Sequence, residues 1–153
     1  MDRLKSEVIP MSHDNKSIVR RFIDEIFVHS RAASADELVA PDFTPHSWPG
    51  VKPGIETLKQ AMKRVSAGLS DVRMDIDDII AEGDKVAVRL TASATHTGEF
   101  MGIAASGKSY RISETHIFRV VNGKVREHWR DADMLGLMRQ LGAFPEPAHS
   151  GTG

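Results

Sequence analysis

Residues 115–142, THIFRVVNGKVREHWRDADMLGLMRQLG, decide the fold. Two apolar-rich segments meet at Asn122-Gly123, and the pair flanked by alternating hydrophobics predicts a two-residue hairpin, because both central residues of a type I′ turn need positive φ. The second strand ends in a cluster of Glu127, His128, Trp129, Arg130, Asp131 and Asp133, after which MLGLMRQLG has the period of a short amphipathic helix. Charged and aromatic residues packed where an apolar hairpin meets a helix need a hydrogen-bonding or catalytic reason to be there.

Upstream of that hairpin the period is also two. Val72, Met74 and Ile76 alternate with Arg73, Asp75 and Asp77, Gly83-Asp84 turns the chain, and Val86, Val88, Leu90 and Ala92 alternate again. A second hairpin follows. Its small residues Ala92, Ser93, Ala94 and Thr95 read equally as space left for a ligand or as room for a bend. A glycine-containing loop over residues 98–108 then feeds the strand that starts at Ser109.

Before residue 70 the period is helical. Ile18, Val19, Phe22, Ile23, Ile26 and Phe27 make one apolar stripe on a long helix that begins near Ser12 or Asp14. A helical turn over residues 36–39 leads into APDFTPHSWPGVKPG, where prolines and glycines predict an irregular loop exposing His46 and Trp48. Ile55, Leu58, Met62, Val65 and Leu69 give a further amphipathic helix ending near Gly68. Helices first, then a run of long antiparallel strands, then a terminal helix argue an α+β fold with the helices on one face of a bent sheet. Such a cone has an open interior suited to a ligand.

At 153 residues the chain fits one domain, expected over residues 12–143 between a loose extension at 1–11 and a disordered tail at 144–153. Hydrophobic residues at 41% and charged residues at 27% are ordinary globular values. No apolar run approaches the roughly 18 residues of a membrane span, and a net charge of −1 lacks the basic footprint of a nucleic-acid binder. We expect a cytoplasmic protein with a small, hydrophobic partner, and neither nucleic acid nor membrane. The absence of cysteine removes thiolate chemistry and Cys-ligated zinc. His46, His96, His116 and His128 are too scattered for a metal motif, and neither a Gly-rich nucleotide loop nor a G-x-S-x-G elbow occurs. Proton chemistry without a cofactor or metal is what remains.

The segments NKSIVRRFIDEIF, PDFTPHSWPG, TASATHTGEFMGIAASGK and VNGKVREHWRDADMLGLMRQLG together resemble the SnoaL-like polyketide cyclase (ester cyclase) family. Its relatives share the cone of nuclear transport factor two, ketosteroid isomerase and limonene epoxide hydrolase, a fold that hosts enzymes and plain binding proteins alike. The resemblance implies a homodimer through the outer face of the sheet. It also implies an aspartate that removes a proton beside a carbonyl and a histidine that hydrogen-bonds a substrate oxygen, with aldol-type ring closure following. The histidine matches His116. At the position of the aspartate stands Arg130, with Asp131 one place on, so Asp131 is the candidate base if the strand bulges or has ended there.

Asp131 reads equally as a general base or as a salt-bridge partner of the nearby arginines, and Asp133 reads more readily as the cap of the last helix than as a catalytic group. Glu114 and Phe118 share the strand face of His116. With Arg130, His128, Trp129, His46, Trp48 and His96 they form the expected substrate-binding set. Two other classes stay open: a non-catalytic binding module, favoured by arginine at the aspartate position, and an epoxide-hydrolase-like enzyme using Asp131, Arg130 and Asp133.

Overall fold

A computed structural model describes residues 12–48 and 50–144. Both expected terminal segments lie outside the described residues, except Phe144. Helix α1 (Ser12–Arg21) runs straight into a π-helical segment (Phe22–Val28). Here the expected long helix is only partly right: the apolar stripe is present, with Val19, Phe22, Ile23 and Ile26 buried, but its second half is wound wider, as the bond from His29 N to Asp24 O five residues back attests (3.0 Å). Helix α2 (Ala32–Leu38) is followed by strand β1 (Val39–Pro45), helix α3 (Ile55–Gly68), strands β2 (Leu69–Glu82), β3 (Lys85–His96), β4 (Ser109–Val121) and β5 (Lys124–Ala132), and helix α4 (Met134–Gln140).

The five strands form one sheet in the order β1-β5-β4-β3-β2. Every pair is antiparallel except β1 with β5, which is parallel. Strand β1 corrects the sequence reading, which made its proline-rich residues part of an irregular loop. The strand sits at the sheet edge, where a residue without an N–H removes no ladder bond, so Pro41 and Pro45 are compatible with pairing on one side. The Asn122-Gly123 turn is as expected, with φ of +51° and +74°, and Gly83-Asp84 joins β2 to β3.

The concave face of the sheet is closed by the N-terminal helical segment and α3. Phe22, Phe43 and Phe118 meet there, with ring centroids 5.2 Å apart for Phe22–Phe118 and 6.4 Å for Phe22–Phe43, and they anchor a core continuous with Val88, Leu90 and Val120. Helix α4 is tied to β4 by a side-chain clamp, in which Gln140 Oε1 accepts from Arg111 N (2.8 Å) and Gln140 Nε2 donates to Arg111 O (3.1 Å). No helix among the described residues is long and apolar enough to cross a membrane.

Candidate active site

Alternation along two adjacent strands builds the site. On β4, Glu114, His116 and Phe118 are buried while Thr115 and Ile117 are exposed. Opposite them on β5, Arg130 pairs with His116 and His128 with Phe118, so all five side chains share the concave face.

There they form a continuous hydrogen-bonded chain. Arg130 donates to both carboxylate oxygens of Glu114, from Nε to Oε2 (3.1 Å) and from Nη2 to Oε1 (2.5 Å). His116 Nε2 lies 2.7 Å from Glu114 Oε2, and His116 Nδ1 lies 2.8 Å from His128 Nε2. Glu114, His116 and His128 are 4%, 1% and 0% exposed, so these bonds form away from water. Phe27 and Phe118 flank both imidazoles, with ring centroids 4.8 to 5.8 Å away.

The electrostatics follow from that packing. Burial alone would raise the Glu114 carboxyl, but the hydrogen bonds from His116 and Arg130 and the guanidinium charge outweigh it and hold the group at about 2. Glu114 is therefore an anion. Burial, followed by the adjoining His116 and the Arg130 charge, pushes His128 well below its ordinary value and keeps that ring neutral. Tyr110, on the same face of β4, is pushed up to about 12 by burial and then by the charge of Glu114, so its hydroxyl remains a donor.

These groups line a cavity of about 740 Å³, within the range of small-molecule sites. Its other walls are largely apolar and include Phe27, Trp48, Met62, Met74 and Ala92, with Arg64 and Glu99 also on the boundary. Of the small residues Ala92, Ser93, Ala94 and Thr95, the first two border the hollow, while the ladder to β2 is irregular opposite Ser93 and Thr95, as a bend requires. Among the described residues, no group of three or more His, Asp or Glu side chains is arranged to hold a metal ion.

The expected site residues divide. Glu114, His116, His128, Arg130 and Trp48 line the cavity; six others do not. Asp131 is exposed because the bulge in β5 falls earlier, opposite Arg119 and Val120, and regular pairing resumes through Asp131 with Thr115 and Ala132 with Glu114. Alternation thus turns Asp131 outward, correcting the expectation that it enters the pocket. Asp133 is also exposed, and its Oδ1 accepts from Gly136 N (2.9 Å) as the cap of α4. With both carboxylates outside, the Asp–Arg–Asp set of an epoxide hydrolase is not assembled.

Trp129 alternates with His128 and Arg130 and so lies on the outer face, where His46 stacks on it at 4.6 Å. His46 Nε2 also meets Glu127 Oε1 at 2.9 Å. Neither Trp129 nor His46 lines the cavity, contrary to expectation. Phe118 packs behind the imidazoles in the core, and His96 is buried and spent on its own loop, bonding Ser106 through Nδ1 (2.9 Å) and Ile103 O through Nε2 (3.2 Å). Conversely, Tyr110 went unread, and Phe27 was read as core and not as cavity wall. Tyr110 lies four residues before Glu114 on a period-two strand, a signal that puts it on the same face.

His116 reaches the cavity wall as expected, but both its nitrogens are already engaged. Glu114 occupies two of the five N–H donors of Arg130, and that side chain is 31% exposed. Arg130 and Tyr110 are therefore the donors placed to meet a substrate oxygen.

Comparison with known proteins identifies the family and the fold. The family model for SnoaL-like polyketide cyclase matches residues 17–141. The nogalonic acid methyl ester cyclase of Streptomyces nogalater is 29% identical over 119 residues, covering 76% of this chain and 89% of that one. The aklanonic acid methyl ester cyclase DnrD of Streptomyces peucetius is 36% identical over 66 residues, or 42% of this chain, and the match spans less than half of that relative (46%). The solved structure of TsrD from Streptomyces laurentii superposes with a TM-score of 0.79 at 29% identity, covering 94% of this chain and 99% of that one.

Proposed function

Because this chain belongs to the SnoaL-like polyketide cyclase family, we propose that its cavity binds a hydrophobic, oxygenated small molecule and catalyses cofactor-independent proton abstraction beside a carbonyl, with aldol-type ring closure. The observation that carries this reading is the buried Arg130–Glu114–His116–His128 chain in the wall of a largely apolar cavity.

A proton next to a carbonyl becomes removable when the enolate oxygen is met by donors that are already in place. Arg130 brings a fixed positive charge, oriented by two hydrogen bonds to the Glu114 carboxylate. Tyr110 adds a neutral hydroxyl. With both aspartates facing outward, the His116–His128 pair in the cavity wall is the candidate proton acceptor. Once formed, the enolate carbon attacks a second carbonyl of the same molecule, and the apolar walls hold the two ends together while excluding water. Relatives named as aklanonic and nogalonic acid methyl ester cyclases make those two methyl esters the first substrates to try. The reading includes a homodimer through the outer face of the sheet, checked by sedimentation.

One observation favours a second reading. Both His116 nitrogens are committed and both aspartates face outward, which suits a binding module that holds its ligand without converting it. Incubation with a panel of polyketide methyl esters, followed by mass and chromatographic analysis, separates the two. The enzymatic reading expects ring-closed product from the wild type and from Asp131→Asn, and loss of at least about a hundredfold in Arg130→Met. Equal turnover by Arg130→Met defeats the site assignment, whereas tight binding without product throughout the panel supports the binding module.

A further inference from the structure

Ring closure needs an acid that enolate formation does not. When the enolate carbon attacks the second carbonyl, the oxygen there becomes an alkoxide and must gain a proton. Few groups in the cavity wall can give one. The guanidinium groups of Arg64 and Arg130 keep their protons, and ionised Glu114 only accepts. The serine hydroxyls of the wall are weaker acids than a phenol, and Ser47 Oγ already accepts from Arg130 N (2.7 Å). Tyr110 carries the remaining hydroxyl of the wall, and it is the only tyrosine in the chain. Its oxygen has no hydrogen-bond partner among the described residues, yet it is not one of their fully buried partnerless atoms, which are Asn15 Oδ1, Arg126 Nε and His128 Nδ1. The hydroxyl therefore keeps open surface, on a side chain that borders the hollow.

The strand sets where that hydroxyl stands. Tyr110 and Glu114 share the concave face of β4, and a rise of about 3.3 Å per residue puts their Cα atoms roughly 13 Å apart. Arg130 and the two imidazoles are gathered at Glu114, so Tyr110 faces a different part of a ligand that fills the cavity. From this we infer that Tyr110 is the catalytic acid of ring closure, giving its hydroxyl proton to the oxygen of the second carbonyl while Arg130 holds the enolate oxygen. The assignment rests on the reaction class proposed above. In the step, the enolate electron pair forms the new carbon–carbon bond and the π pair of the second carbonyl moves to its oxygen. The Tyr110 O–H bond breaks and its proton ends on that oxygen, leaving a β-hydroxy carbonyl product. Water then reprotonates the phenolate through its open surface. Burial and then the Glu114 charge push the phenol up to about 12 against the opposing charge of Arg130, so it enters each cycle protonated and the phenolate is short-lived.

The two halves of the reaction are read separately. Deuterium uptake at carbon 2 of the bicyclic ketone 1-tetralone, in deuterated buffer, reads enolate formation alone, because this ketone has no second carbonyl. Ring-closed product from the two methyl esters above reads the whole. Tyr110→Phe is expected to keep exchange within about threefold of wild type and to lose ring closure by at least about a hundredfold. Equal losses in both readouts, or ring closure at the wild-type rate, overturn the assignment and leave the reaction class standing. A wild type that closes neither ring overturns the reaction class and the assignment with it. Because the chain has a single tyrosine, growth on 3,5-difluorotyrosine replaces this phenol alone with a more acidic one of nearly the same shape. Ring closure by that protein should fall at alkaline pH where the ordinary protein holds its rate, since the acid is lost once it ionises. Identical pH profiles overturn the inference, and they decide it even where Tyr110→Phe does not fold.

Discussion

Replacing Glu114 with glutamine removes the one buried anion of the site while keeping its shape, and the consequence for stability depends on pH in a way the structure fixes. The carboxyl is held at about 2 against an ordinary 4.5. A depressed folded value contributes stability that is fully present above the unfolded value and disappears as pH falls through the folded one. A shift of that size, at about 1.4 kcal/mol per unit, amounts to about 3 kcal/mol at pH 7 and only about 1 kcal/mol at pH 3. Urea unfolding of wild type and Glu114→Gln, followed by circular dichroism at both pH values, isolates the effect, since the remaining carboxylates cancel in the difference. The stability gap should narrow by roughly 2 kcal/mol on going from pH 7 to pH 3. A gap equal at the two pH values, or one that widens in acid, would refute an ionised Glu114 held by Arg130 and His116.

Other substitutions probe other parts of the reading. Asp133→Ala removes the cap on Gly136 and should cost about 1 kcal/mol in thermal unfolding; a loss near zero would mean that the cap contributes nothing. Ala92→Leu should push a larger side chain into the hollow that Ala92 borders and weaken fluorescent-probe binding by tenfold or more, with unchanged affinity placing the ligand elsewhere. A Cβ at Gly98 would collide with the carbonyl oxygen of Ala67, so Gly98→Ala should lower stability by about 1–3 kcal/mol, read as a fall in the melting temperature; a melting point at or above wild type would show that the loop yields freely.

Much of the frame was legible because its signals are local. Asn122-Gly123 forces its own turn, and the change from helical to alternating periodicity near residue 70 marks where α3 ends and β2 begins. The Glu114-x-His116 spacing likewise put both groups on one face. What escaped depends on partners distant in sequence. β1 is a strand only because β5 offers it an edge, which no property of VAPDFTP reveals. The face of Asp131 turns on where a single bulge falls, and the contact between His116 and His128 requires the register of β4 against β5 to within one residue. The orphaned nitrogen of His128 appears only once every neighbouring donor and acceptor has been counted.

The parallel pairing of β1 with β5 also bears on how the chain reaches its native state. Val39 finds its ladder partner at Val125, near the far end of the domain, so the first strand made by the ribosome has nothing to pair with until almost the last has emerged. Closing so long a loop is slow compared with forming hairpins, and in the interval the part of the leading helix that packs on β5 stays uncovered, while β2 and β3 can already cover the rest. Nascent chains halted before Lys124 should accordingly be held by chaperones, and released only when the remaining strand arrives.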